Sequence, residues 1–343
     1  MGMMPSDAVV LALDLGGTQI RAAAILGSGE RLERRAAATP VEGGEEAIFE
    51  ACAETLCGVR SALPGAVRDR LVAIGISSMG PVDPWRGLVV DPPNVPAFRD
   101  SPLADEVERR VGLPAYLERD TNVAALAEHW LGAARGCTDF LYVTVSTGLG
   151  GAIVRDGCLV LGPDGTAGEL GHITLIAEGG PRCGCGGFGH LEGIAAGAGL
   201  AAQGQEALAA GESPFLAARV HDGGVGERLL TARDVAEGEL AGDATCTYLM
   251  DRARRAFAIA CVGWVNAFNP DRIVIGGTLA QRQGERWLAP ARDEVARTAF
   301  RAPATRVRIA PAELGHDVGL VGAWPLVEER HGNPTWRERR ARP

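Results

Sequence analysis

FLYVTVSTGLGGAIV, residues 140–154, runs from a continuous apolar stretch into a turn of serine, threonine and glycine and then resumes as a second apolar stretch. Short apolar runs bounded by glycine read as buried strands joined in a hairpin. The same design stands near the start of the chain, where VVLALDLG (9–16) and IRAAAIL (20–26) flank Gly16, Gly17 and Thr18. Laid over each other, the two hairpins put Asp14 opposite Ser146 and Gly16 opposite Gly148. Such an echo predicts two duplicated α/β domains facing one another across a cleft. Two unrelated hairpins would also look alike, so the segments downstream of each hairpin carry the weight.

After the first hairpin the pattern predicts a strand near 31–38, a helix over 43–62 and a buried strand at LVAIGISS (71–78). Ser101 and Pro102 read as the N-cap and first-turn pair of a helix reaching 111. AYLERD (115–120) is a short strand leading into a helix over 122–132. After the second hairpin, Asp156-Gly157 marks another tight turn. RIVIGGTLA (272–280) then carries a strand through Gly276 and Gly277 into a helix.

Composition narrows the function classes. The chain has 343 residues, enough for two domains of ordinary size, and 46% apolar with 22% charged residues marks it as globular. No apolar run is long enough to cross a bilayer, and the N-terminus lacks the basic and apolar regions of a signal peptide. A net charge of −9 argues against a nucleic-acid surface. Eight unevenly spaced cysteines without a secretion signal point to reduced thiols in the cytoplasm. Six of them, Cys52, Cys57, Cys137, Cys158, Cys246 and Cys261, fall in apolar periodic segments and are expected in the core. All 34 basic residues are arginine. With no lysine there is no Schiff base and no Walker-type lysine, so any phosphate must be held by backbone N–H groups, hydroxyls, arginine or a metal.

The glycine hairpins suit that task. Glycine lets backbone N–H groups approach a polyphosphate that a side chain would block. Asp14 ends the first strand, where a carboxylate can hold Mg²⁺ through water, and Thr18 and Thr147 can donate hydroxyls. The Gly276-Gly277 turn offers backbone to a nucleotide, and it reads equally well as a plain strand-to-helix turn.

DLGGTQIRAA, ERDTNVAALAE, STGLGGAIV, GTAGELGH, CGCGGFGHLE and NPDRIVIGG succeed one another in the order of the ROK sugar kinases, which this chain resembles over about residues 8–328. Within that family it is most similar to the bacterial glucokinases. The resemblance implies the actin-like ATPase fold shared with hexokinase. The expected smaller domain is 1–118 with a returning segment at about 316–330, the larger domain is 119–315, and 331–343 is a tail. It also implies ATP and Mg²⁺ as cofactors, a nucleotide site at Asp14, Gly16, Gly17, Thr18, Ser146, Thr147, Gly148, Gly276 and Gly277, and a homodimer. Asp120, between a strand and a helix, becomes the candidate general base; from the residues alone it reads as a helix N-cap. Asn94, Glu169, His172 and Glu192 match positions that bind sugar hydroxyls.

The same resemblance makes the glycine-rich loop at 172–192 a structural zinc site. Its ligands would be His172, Cys183, Cys185 and His190, a closed set that leaves no place for substrate. A metal-free glycine loop is the alternative, because the family normally has cysteine where His190 stands. Cys-x-Cys lacks the spacing of a redox pair.

Other departures are Gln19, Met79, Ser146, Thr278 and above all Arg119, which stands where a sugar-binding asparagine is usual. If Arg119 points into the cleft, it favours another acceptor: a C7-cyclitol, another hexose or an N-acyl hexosamine. A second class is the sugar-sensing ROK repressors, which carry a winged-helix domain ahead of the ATPase fold. Here the first hairpin begins by residue 9, so the enzyme is expected.

Overall fold

The computed structural model describes residues 4–5, 7–93, 95–221, 229–333 and 336. They fall into two compact units, Met1–Gly136 with Leu159–Ala167 and Glu313–Pro343, and Cys137–Cys158 with Gly168–Ala312.

In the first unit the strands are β1 (Val9–Leu15), β2 (Gln19–Leu26), β3 (Arg31–Ala38) and β4 (Leu71–Ser78). A small ribbon of β5 (Val82–Asp83) and β6 (Leu88–Val89) comes next, and then β7 (Ala115–Arg119). The sheet order is β3-β2-β1-β4-β7, antiparallel through the hairpin and parallel from β1 to β4 to β7. Successive residues of a strand point to opposite faces. Val9, Leu11 and Leu13 accordingly meet Phe49, Cys52 and Leu56 of the helix Gly44–Ala62. Val10 and Ala12 meet Leu320, Trp324 and Val327 from the returning helices Val318–Val321 and Ala323–Arg330. Both faces are covered, which is why β1 reads as an unbroken apolar run. The arginine-rich β3 closes the edge and stays largely exposed.

The second unit holds β8 (Phe140–Val145), β9 (Leu149–Arg155), β10 (Cys158–Leu159), β11 (Arg272–Gly276) and β12 (Arg308–Pro311), in the order β10-β9-β8-β11-β12. The hairpin is antiparallel, and β8, β11 and β12 are parallel. Element for element this is the wiring of the first sheet, so the duplication read from the two hairpins extends to whole sheets. Leu141, Val143, Ile273 and Ile275 pack against Phe257, Trp264 and Trp287 of the helices Ala244–Phe268 and Glu285–Thr298.

Several details differ from the sequence reading. Leu15 pairs with Ile20, whereas Val145 pairs with Leu149, so the second turn is one residue shorter. Counted from the last paired residues, Asp14 corresponds to Thr144 and Gly16 to Ser146. The helix after β7 begins at Asp120 and runs to Leu131. It groups with the first unit, because β7 pairs with β4 and Val123 and Leu126 pack on Leu326. The first unit therefore extends past 118, to Gly136. Ser101 bridges Val89 and caps no helix; Pro102 holds the cap position of Leu103–Val111. Cys158 is exposed and Cys57 half-buried, whereas Cys52, Cys137, Cys246 and Cys261 are buried as expected. In the tail, Trp336 lies 3.9 Å from the Arg330 guanidinium and stacks on Trp85.

Candidate active site and metal centre

Parallel strands collect their functional residues at the carboxyl ends. In the first unit Asp14 pairs with Ser77, and Ser77 with Glu118, so β1, β4 and β7 end level with one another. Asp14, the Gly16–Thr18 turn and Asp120 therefore share one edge of the sheet. The turn is closed by the Gly16 N–H on the Gln19 carbonyl at 2.9 Å, and Thr39 donates its hydroxyl to the Gly16 carbonyl at 2.7 Å. Asp14 is ion-paired with Arg21, directly across the hairpin. A Cβ on Gly319 would lie 2.9 Å from Asp14 Oδ1. Glycine there keeps space open beside a hard oxygen donor, and the residues present fit Mg²⁺. Asp120 is exposed, and its Oδ1 accepts from the Thr121 N–H at 2.7 Å.

Arg119 neither projects into solvent nor stands free. It is 5% exposed and donates to the Ala167 carbonyl at 2.9 Å and to Asn122 Oδ1 at 3.5 Å. Glu118, fully buried, takes the Arg119 N–H, the Asn122 amide and Arg330. The strand end that leads into Asp120 is thus locked by neighbours on both sides. Asn94 lies outside the described residues.

Glu128, near the other end of the Asp120 helix, was not singled out from the sequence. Its fully buried carboxylate accepts from the N–H groups of Ala133 at 2.7 Å and of Glu313 and Leu314, each at 3.0 Å. The chain first leaves this unit after Gly136 and, after a return at Leu159–Ala167, re-enters it for the last time at Glu313. One carboxylate therefore holds the first exit and the last return to the helix that starts with Asp120. The available signal was a lone glutamate inside the apolar helical run NVAALAEHWL.

In the second unit the zinc-type residues meet. One ligand atom each from His172, Cys183, Cys185 and His190 lie within 4.8 Å of one another. Cys183 Sγ is 3.7 Å from His172 Nδ1, and Cys185 Sγ is 3.3 Å from His190 Nδ1. A tetrahedral zinc with usual bond lengths sets sulfur and nitrogen about 3.5 Å apart, so the set fits the ion. The loop can close this tightly because of its glycines. Gly189 has φ +68°, and a Cβ there would strike the Ile176 carbonyl. The Leu175 N–H on the Gly189 carbonyl at 2.8 Å and the Leu191 N–H on the Ile173 carbonyl at 3.0 Å then lay the His190 segment beside His172. Burial pushes the Cys183 thiol up to about 12, and the neighbouring Glu192 carboxylate adds to the effect. A metal ion would reverse that by taking the thiolate.

Two carboxylates carry this loop outward. His172 turns Nε2 to Glu169 Oε2 at 3.7 Å, so a ring bound through Nδ1 would orient Glu169 through its other nitrogen. Glu192 stands between the Cys183 thiol (3.3 Å) and the Leu149 N–H (2.9 Å), tying the loop to the turn at Ser146–Gly148.

That turn borders a cavity of about 590 Å³ lined by Ser146, Thr147, Gly197, Ala201, Leu240, Thr278 and Gln283, among others. The Ser146 and Thr278 hydroxyls are 2.9 Å apart. Gly197 and Ala198 donate their N–H groups to the Ser146 and Thr147 carbonyls at 2.7 and 2.8 Å, fixing the turn from behind. Gly277, at φ +90°, would clash with Val145 backbone if it carried a side chain. This explains the third glycine pair as a close approach of two strand ends. The helix segment from Gly197, Thr231 and Gln283 lacks a motif and was not anticipated.

Paired sheets of this wiring, each ending in a glycine or hydroxyl turn at the carboxyl edge, are those of an actin-like ATPase fold. The chain belongs to the ROK family, whose model matches residues 10–330. It is 33% identical to a glucokinase of Halalkalibacterium halodurans over 96% of this chain and 97% of the relative. An N-acetylmannosamine kinase of Escherichia fergusonii is 32% identical over 93% of this chain and 98% of the relative. Among solved structures, a ROK glucokinase of Streptomyces griseus in complex with glucose and AMPPNP superposes with a TM-score of 0.74 at 31% identity, covering 92% of this chain and 98% of that one. Among the described residues no helix is long and apolar enough to cross a membrane.

Proposed function

We propose that this chain is an ATP-dependent sugar kinase that moves the γ-phosphoryl group of ATP to a primary hydroxyl of a hexose, with glucose the leading acceptor. The observation that carries the reading is full-length similarity to glucokinases, one of them solved with glucose and a nucleotide analogue. Phosphoryl transfer asks the protein for position and charge more than for covalent chemistry. Asp120 takes the proton of the acceptor hydroxyl as its oxygen bonds to phosphorus and the bond to the β,γ-bridging oxygen breaks, releasing ADP. Glu169 accepts from ring hydroxyls, with Asn94 and Glu192 as further sugar contacts by family resemblance. His172 would serve the metal with one nitrogen and Glu169 with the other.

The turns at Gly16–Thr18 and Ser146–Gly148 offer N–H groups and hydroxyls to the phosphates, and Gly276-Gly277 backs the nucleotide. Mg²⁺ held near Asp14 would neutralise phosphate charge. Zn²⁺ at His172, Cys183, Cys185 and His190 would hold the loop in shape. The protein would work in the cytoplasm as a homodimer, checked by light scattering of the purified chain. The N-acetylmannosamine kinase relative keeps a hexosamine as second reading. ADP release measured with Mg-ATP over a panel of hexoses, N-acyl hexosamines and cyclitols tests the proposal. The highest kcat/KM is expected for glucose; no release with any sugar would refute a kinase, and a hexosamine maximum would favour the second reading.

A further inference from the structure

We infer that Gln283 reads an acceptor nitrogen on the base of the bound nucleotide, making an adenine nucleotide rather than a bare polyphosphate chain the phosphoryl donor. The inference rests on the nucleotide reading of the cavity beside Ser146. Ala201, Ala236, Leu240 and Leu279 give that cavity an apolar wall suited to a flat base. Ser146, Thr147 and Thr278 supply its hydroxyls, and phosphate belongs with them. Gln283 closes the helix that starts at Thr278. Five residues of helix set it about 7.5 Å further along, so a ligand must extend past its phosphates to meet it.

What Gln283 presents is fixed by its neighbour. Arg254, on the helix Ala244–Phe268, is 7% exposed and held by Glu239 and by Asp251 at 2.7 Å. From this network its Nη1 donates to Gln283 Oε1 at 3.2 Å. A guanidinium has donors only, so the amide oxygen must face it and the NH2 group is the end left over. Among the described residues that nitrogen makes no hydrogen bond. The cavity therefore offers amide donors beside an apolar wall. Adenine carries unprotonated ring nitrogens that accept such a bond, whereas a polyphosphate chain places nothing there.

Calorimetric titration of the full chain with AMPPNP, and separately with tripolyphosphate, tests this without relying on turnover. Gln283→Leu removes the donors at similar volume, and Gln283→Glu keeps the bond to Arg254 while leaving acceptors only. Both are expected to weaken AMPPNP about tenfold, the worth of one buried hydrogen bond, with tripolyphosphate and glucose affinities unchanged. AMPPNP affinity unchanged from wild type in both variants would overturn the inference, as would a parallel loss of tripolyphosphate. Wild-type protein that binds no AMPPNP would instead overturn the nucleotide reading of the cavity itself.

Discussion

Glu128→Gln is a test of how the helix Asp120–Leu131 is held. The carboxylate puts Oε1 on the N–H groups of Glu313 and Leu314 and Oε2 on that of Ala133, with a longer contact to Glu313 at 3.2 Å. An amide of the same shape has one oxygen. If it stays with Glu313 and Leu314, its NH2 group faces the Ala133 N–H, donor against donor, at a site with no solvent access. One orphaned buried donor costs about 1–3 kcal/mol. The two surviving bonds fall from charge-assisted to neutral, which loses about 1 kcal/mol each. The sum is about 3–5 kcal/mol, a large share of the stability of an ordinary domain. Urea unfolding followed by far-UV circular dichroism and by tryptophan fluorescence would read it, the two probes together checking whether one transition suffices. A variant within about 0.5 kcal/mol of wild type would show that the Glu128 carboxylate does not hold this helix, because effects of that size belong to surface positions.

Purified protein never exposed to chelator is expected to contain about one zinc per chain, since four ligands of this kind form a closed structural site. Cys185→Ala should lose it and raise KM for the sugar through the His172–Glu169 contact; metal-free protein with full activity would contradict this. Arg119→Asn is expected to change kcat/KM for all sugars by a similar factor. Its guanidinium serves the Ala167 carbonyl and Asn122, so a gain specific to glucose would show that Arg119 also touches substrate.

The two hairpins carried most of the fold. Their apolar runs are buried on both faces, and such strands announce themselves by composition alone. The register between them was less legible: one residue of turn length separates Gly16–Gln19 from Ser146–Gly148, and sequence overlay has no means to see it. Asp120 became a candidate only through the family resemblance, because a carboxylate between a strand and a helix reads by itself as an N-cap. The unit to which that helix belongs was not, since it depends on the pairing of β7 with β4. Cys183, Cys185 and His190 stood out by their glycine setting, and His172 entered through the family resemblance. Glu128, Arg254 and Gln283 had no such signal. A buried carboxylate or an oriented amide is recognised by its partners, and those lie far away in sequence. Arg119 illustrates the same limit. Its position beside Asp120 was plain, but the direction of its side chain depends on where residue 167 folds.

In the proposed reaction Asp120 removes the acceptor proton of an ATP-dependent sugar phosphorylation. Asp120→Asn keeps the side-chain shape and an acceptor oxygen for Thr121, while the amide cannot take a proton at neutral pH. The decisive measurement is turnover with saturating Mg-ATP and glucose, paired with glucose affinity from calorimetry on the same preparation. Turnover should fall by about two to four orders of magnitude with affinity changed far less. A variant that retains more than roughly a tenth of wild-type turnover would place the base elsewhere and contradict the account.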